Sequence, residues 1–194
     1  MRIELWPAGV VPFVIEGPDA GEVLRAIDHY RELGVFAFVG RTHQTDFLRF
    51  VTGRRNFSPV GKTGGGQQVR LAPGFTTGTV LHEIGHALGR VHEHCRADRD
   101  RYVTIRWENI HPGAYGEFET HPTGEAELGE YDYGSIMHYS KMHYTRNGNR
   151  TCEPTGSLRD GVLMGQRKRL SDLDAAAFAR LYQAFGPAPR QPCG

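Results

Sequence analysis

The chain has 194 residues, 39% hydrophobic and 23% charged, which excludes a disordered or fibrous protein and suffices for one large domain or two small lobes sharing a cleft. Lys and Arg number 23 against 22 Asp and Glu, a formal net charge of +1, without the basic excess of a general nucleic-acid binder. No apolar run approaches the roughly 18 to 20 residues of a membrane helix, and Met1 to Pro7 lacks the basic-then-apolar order of a signal peptide.

Val10 to Ile15 is predicted to be a strand, with Pro12 placing it toward a sheet edge. Gly17-Pro18-Asp19 opens a helix whose apolar face comprises Val23, Leu24, Ile27, Tyr30 and Leu33, and Gly34 ends it. Val35 to Val39 and Asp46 to Thr52 are the next two strands, and the glycine-rich, polar stretch from Gly53 to Gly66 is a loop. Gln67-Gln68-Val69-Arg70-Leu71 alternates as an exposed edge strand should. Strand and helix alternate over this half, an α/β pattern. A helix from Thr77 or Thr79 to Leu88 follows, cut by Gly89. From Arg90 to Arg169 the chain is dense in Gly, Pro, Tyr and charge and is predicted to be irregular. Ser171 to Asp174 then opens a closing helix with a capping-box-like start. Its stripe is Leu173, Ala177, Leu181 and Phe185, and Gly186-Pro187 stops it. The expected plan is a single domain of two lobes, about 1–89 and 90–194.

Ten histidines stand out, four of them (His82, His86, His92 and His94) within thirteen positions. On a helix, His82 and His86 share a face and can present two imidazoles to one metal ion. Glu83 lies beside that face and can reach a metal-bound water without displacing a ligand. Gly89, with no Cβ, can stop the helix in a left-handed conformation and return His92 to the same point. Three neutral imidazoles and an open position favour catalytic zinc, one ion per chain. HExxH alone is expected by chance about 0.03 times in a chain of this composition, and about 0.0002 times once Gly89 and His92 are required. His94 and His111 read as surface or supporting residues. Cys95, Cys152 and Cys193 cannot all pair within one molecule. One bridge and one free thiol are expected.

The extended run His82-Glu83-x-x-His86-x-x-Gly89-x-x-His92-Glu93-His94-x-Arg96-x-Asp98-Arg99-Asp100-x-Tyr102-Val103 resembles the signature of the astacin family of zinc endopeptidases, in the metzincin clan. Ser135-Ile136-Met137-His138-Tyr139 resembles that family's Met-turn. Weaker similarities run from Trp6-x-x-Gly9-Val10-Val11-Pro12-Phe13 through Arg41-Thr42 and Gln67-Gln68-Val69 to Gly165-Gln166-Arg167, Leu170-Ser171 and Leu181-Tyr182.

The resemblance implies an α+β, zincin-like fold with a cleft between a twisted-sheet lobe and an irregular lobe. It also implies hydrolysis of extended polypeptides. His82, His86 and His92 would bind zinc, Glu83 would be the general base, and Met137 would form an apolar floor under the metal. Tyr139 would be a fifth ligand that swings away to stabilise the oxyanion. Gln67, Gln68 and Val69 would form the upper rim of the cleft. Glu93 would receive the N-terminus of a mature enzyme. Only five residues precede Trp6, so a side chain or water is the alternative partner for Glu93.

Arg167, in the basic run Arg167-Lys168-Arg169, falls near the primed side of the cleft, where it would favour acidic residues after the cut. The family's two usual disulfides are absent, with Val35 and Asn56 standing where two of their cysteines would be. Secretion is expected, as is a monomer with a protein or peptide substrate and neither nucleic acid nor membrane as partner. Three other readings stay open: a metzincin of narrow peptide specificity, a non-catalytic zinc-stabilised binding module, and a form in which the Cys95 thiol blocks the metal.

Overall fold

The computed structural model describes residues 3–121 and 128–186. Its first part is a parallel sheet in the order β2-β1-β3-β4, built from β1 (Val10–Glu16), β2 (Ala37–Gly40), β3 (Phe47–Thr52) and β4 (Gly66–Leu71). Alternate residues Val11, Phe38, Leu48, Phe50, Val69 and Leu71 are fully buried under two helices, α1 (Ala20–Glu32) and α2 (Thr77–Ala87). The opposite face, carrying Arg49, Val51, Gln68 and Arg70, has no helix over it among the described residues and meets solvent. Asp19 caps α1 by accepting from the Gly21 and Glu22 amides. The buried face of α1 is Val23, Ala26, Ile27 and Tyr30. Leu24, assigned to it from the sequence, is exposed.

Two strand expectations are corrected. β1 lies inside the sheet, not at its edge. Pro12 is tolerated because pairing with β3 begins only at Phe13↔Leu48, so at Pro12 the strand has β2 alone beside it. β4 is not a free edge either. Phe57 and Arg70 exchange both main-chain hydrogen bonds, at 3.0 and 2.8 Å, so a short antiparallel segment from the expected loop covers its outer side.

The second part contains 3-10 turns and one antiparallel pair, β5 (Val103–Ile105) with β6 (Cys152–Pro154). Strands of three residues are too short to reveal an alternation. The closing helix α3 (Asp172–Tyr182) has the expected cap, with Ser171 Oγ accepting from the Asp174 amide at 2.9 Å. Its buried residues are Asp174, Ala177, Phe178 and Tyr182, whereas Leu173 and Phe185 are exposed. Phe178 and Tyr182 join Trp6, Tyr30, Phe36, Ile136 and Met137 in the core under the sheet. A smaller core, with Val103, Ile110, Phe118 and Tyr131, fills the second part. The boundary at Gly89 therefore divides the chain without dividing the main core.

Cys95 and Cys152 are both buried and free, so no bridge joins them. Cys193 and Pro187 lie outside the described residues.

Gly78, in the first turn of α2, presses against the chain after the Met-turn. A Cβ there would sit 1.7 Å from the Arg167 carbonyl oxygen. Helix propensity alone makes Gly→Ala stabilising by about 1 kcal/mol. The contact reverses the sign. Gly78→Ala is expected to destabilise by about 1–3 kcal/mol, read as a lower urea midpoint; a raised midpoint would contradict the packing.

Candidate metal centre and active-site cleft

Helix α2 begins with a capping box between Thr76 and Thr79 and ends in a Schellman motif. The Arg90 amide donates to the Gly85 carbonyl at 3.0 Å and the Gly89 amide to the His86 carbonyl at 2.8 Å, with Gly89 at φ +105°. Gly89 thereby turns the chain so that His92 comes back over the helix. His92 Nε2 lies 3.1 Å from His86 Nε2 and 3.3 Å from His82 Nε2.

The far nitrogens are committed elsewhere: His82 Nδ1 to the Ile136 carbonyl and His86 Nδ1 to the Arg90 carbonyl, each at 2.8 Å. A carbonyl only accepts, so each of these Nδ1 atoms carries its proton and its Nε2 lone pair faces the other rings. Burial, followed by the charges of Arg167 and the neighbouring histidines, holds His82 well below the usual imidazole range. Burial and then His86 and His82 do the same for His92. Burial takes His86 down to about 4. Neutral rings with converging lone pairs form a donor set for a borderline cation such as zinc. The residues therefore fit the metal.

Glu83 lies in the same cleft. Burial raises its carboxyl to about 8, opposed by the Arg167 guanidinium, and its Oε2 is buried with no hydrogen-bond partner. Met137 is fully buried beneath the helix, and a Cβ on Gly85 would lie 2.6 Å from its sulfur. The turn carrying Met137 is held by Asp174 of α3, which accepts from Ser135 Oγ at 2.6 Å and from the Ile136 amide at 2.9 Å.

The Tyr139 ring is stacked between His94 and His143, with centroids 4.1 and 4.0 Å away, and its centroid is 4.3 Å from that of His92. Its hydroxyl donates to Glu117 Oε2 at 3.1 Å. His94 is fully buried and bonded to the Glu117 carbonyl at 3.0 Å, whereas His111 is exposed and accepts from the Gly113 amide.

Glu93 is buried between two guanidinium groups, Arg90 at 2.9 Å and Arg96 at 3.0 Å, and also accepts from the Asp132 amide. Glu93 therefore has side-chain partners, the alternative named from the sequence, and Met1 lies outside the described residues. Arg90 also approaches Asp174 at 3.8 Å. The Cys95 thiol donates to the Glu117 carbonyl at 3.3 Å, and burial pushes it up to about 12. Among the described residues a second convergence, His92 with His94 and Cys95, shares His92 with the first.

The cleft above the histidines encloses about 570 Å³. Its rim is Arg55, Asn56, Phe57 and Ser58, not Gln67, Gln68 and Val69. Gln67 and Val69 are buried in the sheet, with the Gln67 amide spent on the Gly61 carbonyl, and Gln68 faces the far side with Arg70. Arg167 lines the cleft. Its Nη1 donates to the His138 and Gln166 carbonyls, and burial lowers the guanidinium to about 10. Lys168 and Arg169 are exposed. Glu117, His143, Tyr144 and the 55–58 rim also face the cleft but escaped the sequence reading. Their one local signal was Phe57, an aromatic residue inside a polar loop.

Residues 1–183 match the family model described as Astacin, a peptidase family. Zinc metalloproteinase nas-6 of Caenorhabditis elegans is 38% identical over 186 residues, covering 91% of this chain and 53% of that protein. Embryonic protein UVS.2 of Xenopus laevis is 38% identical over 190 residues, covering 92% and 36%. The solved structure of high choriolytic enzyme 1, a hatching enzyme zinc-protease from Oryzias latipes, superposes with a TM-score of 0.83 at 33% identity and 94% coverage of both chains. The chain spans about half the length, or less, of these curated relatives.

Removing Arg90 leaves part of a buried carboxylate cluster uncompensated. Arg90→Met is expected to cost about 3 kcal/mol, measured by urea denaturation of the metal-free protein. An unchanged midpoint would show that Arg96 alone balances Glu93.

Proposed function

The chain belongs to the astacin family of peptidases, and from that premise we propose that it is a zinc-dependent endopeptidase cutting bonds within extended polypeptides. The observation that carries this reading is the meeting of three Nε2 lone pairs beside a buried, unpartnered Glu83 oxygen at the floor of an open cleft. His82, His86 and His92 hold one zinc ion. Zinc supplies Lewis acidity, which makes a water more acidic and a peptide carbonyl more electrophilic.

The protein's own groups do the rest. The 55–58 rim takes an extended substrate as an added strand. Glu83, with one oxygen unpartnered in the cleft, takes the proton from the attacking water and returns it to the leaving amine. Tyr139, held in plane by His94 and His143, would serve as a further ligand at rest and would offer its hydroxyl to the carbonyl oxygen as negative charge develops there. In this structure that hydroxyl is turned to Glu117. A non-catalytic module would have no use for Glu83 in the cleft.

The physiological unit is a secreted monomer acting on protein or peptide substrates, with neither nucleic acid nor membrane as partner. Family membership supports secretion and a polypeptide substrate, and the net charge of +1 speaks against a nucleic-acid partner. No helix among the described residues is long and apolar enough to cross a membrane.

The decisive experiment compares wild type with Glu83→Gln by metal analysis and by proteolysis of a denatured protein. Both proteins are expected to bind about one zinc, with hydrolysis lower by roughly three or more orders of magnitude in the variant. Equal activity would refute the mechanism. Arg167 is proposed to favour Asp or Glu just after the cut, because its half-buried guanidinium lines the cleft, where its charge is less screened than in bulk water. Cleavage profiling of a peptide library should show that enrichment, and Arg167→Gln should abolish it. A flat profile in wild type would end the idea.

A further inference from the structure

The uncovered face of the sheet carries a second groove of about 740 Å³, lined by Arg49, Arg54, Arg55 and Arg70 together with Gln68 and Val51. Its shape follows from the strand register. Arg49 lies opposite Gln68 and Val51 opposite Arg70, so β3 and β4 present these side chains side by side on the solvent face. Beyond the end of β3 the Gly53 amide bonds to the Leu71 carbonyl, and Phe57 pairs with Arg70. That turn lifts Arg54 and Arg55 into a wall. The exposed Phe57 ring lies 5.8 Å from the guanidinium carbons of both Arg55 and Arg70, a platform that holds two cations close together.

Among the described residues an acidic group in ion-pair contact there is Glu16, which pairs with Arg49 at 2.6 Å. Arg70 is bonded to the neutral Gln68 amide. In a chain whose formal net charge is only +1, this is a local concentration of positive charge. It is also continuous with the cleft. Arg55 lines both cavities, and the rim segment that borders the histidines runs directly into the groove wall.

We propose that this groove is a docking surface for an acidic stretch of the polypeptide being cut, engaged at a distance from the scissile bond. The proposal rests on the endopeptidase reading. A substrate laid against residues 55–58 is carried past Arg55 onto the sheet face, where its carboxylates meet Arg54 and Arg70. Exposed ion pairs are individually weak, so affinity comes from several at once and is sensitive to salt.

The test uses quenched fluorescent peptides with one cleavable core, extended at either end by four glutamates or by a neutral Gly-Ser segment of equal length. Wild type and an Arg54→Ala/Arg70→Ala double variant are compared at about 50 and about 300 mM NaCl. Neither substituted residue lines the catalytic cleft, and melting temperature checks the fold. Glutamates at one end should raise kcat/KM about tenfold at low salt, through KM. Most of the gain should vanish at high salt and in the double variant, with cleavage of the neutral peptide unchanged. Equal cleavage of acidic and neutral peptides would overturn the proposal, as would a gain that survives the double substitution. Heparin binding lost in the double variant, without any effect of the glutamates, would assign the groove to a sulfated glycan instead. Failure to cut either peptide would strike at the endopeptidase reading itself.

Discussion

Two main-chain carbonyls decide whether the three histidines can act together. The oxygens of Ile136 and Arg90 hold the Nδ1 protons of His82 and His86, and only then do the Nε2 lone pairs turn toward one another. Each carbonyl belongs to an element fixed from elsewhere. Arg90 follows directly on the Schellman turn at Gly89. Ile136 sits in the turn whose amide and serine hydroxyl are gripped by Asp174. Asp174 is also the N3 residue of the capping box of α3. A single carboxylate thus starts the last helix, shapes the Met-turn and, through one carbonyl, sets the tautomer of a metal-binding ring.

The electrostatics around this centre are sorted by depth. Neutral imidazoles and the hydrophobic floor of Met137 surround the ligand nitrogens, while the buried formal charges of Arg90, Glu93, Arg96 and Asp174 are gathered on the far side of the turn. There they balance one another: Glu93 has a guanidinium at each oxygen, and Arg96 closes a second fork on Asp98 at 2.9 Å. Within the cleft, the Arg167 guanidinium has a field that reaches Glu83, Tyr139 and the ligand rings.

The histidine helix was legible because its chemistry is local: ligand spacing, base and breaker all lie between residues 82 and 92. The capping serine of α3 was legible for the same reason. The groups that depend on distant partners were not. Asp174 meets Ser135 across 39 residues and Glu117 meets Tyr139 across 22, and no periodicity reports either. The stripe assigned to α3 shifted from Leu173 and Phe185 to Phe178 and Tyr182, because the helix packs among aromatic rings of the first part of the chain; Phe36 contacts both. Pro12 and Gln67 were misplaced for a related reason: strand order and an added antiparallel segment are set by tertiary pairing, which a strand's own pattern does not contain.

The position of α3 carries a consequence for how the molecule is made. Trp6, near the start, donates its indole N–H to the Ala87 carbonyl, and Tyr182 donates its hydroxyl to the Leu88 carbonyl beside it. The core beneath the sheet is therefore sealed by residues far apart in the sequence. The sheet and the histidine helix therefore complete their buried face only with the segment around Phe178 in place. A chain shortened before Phe178 would leave the aromatic floor of Tyr30 and Phe36 open, so the first half and the last helix stand or fall as one unit.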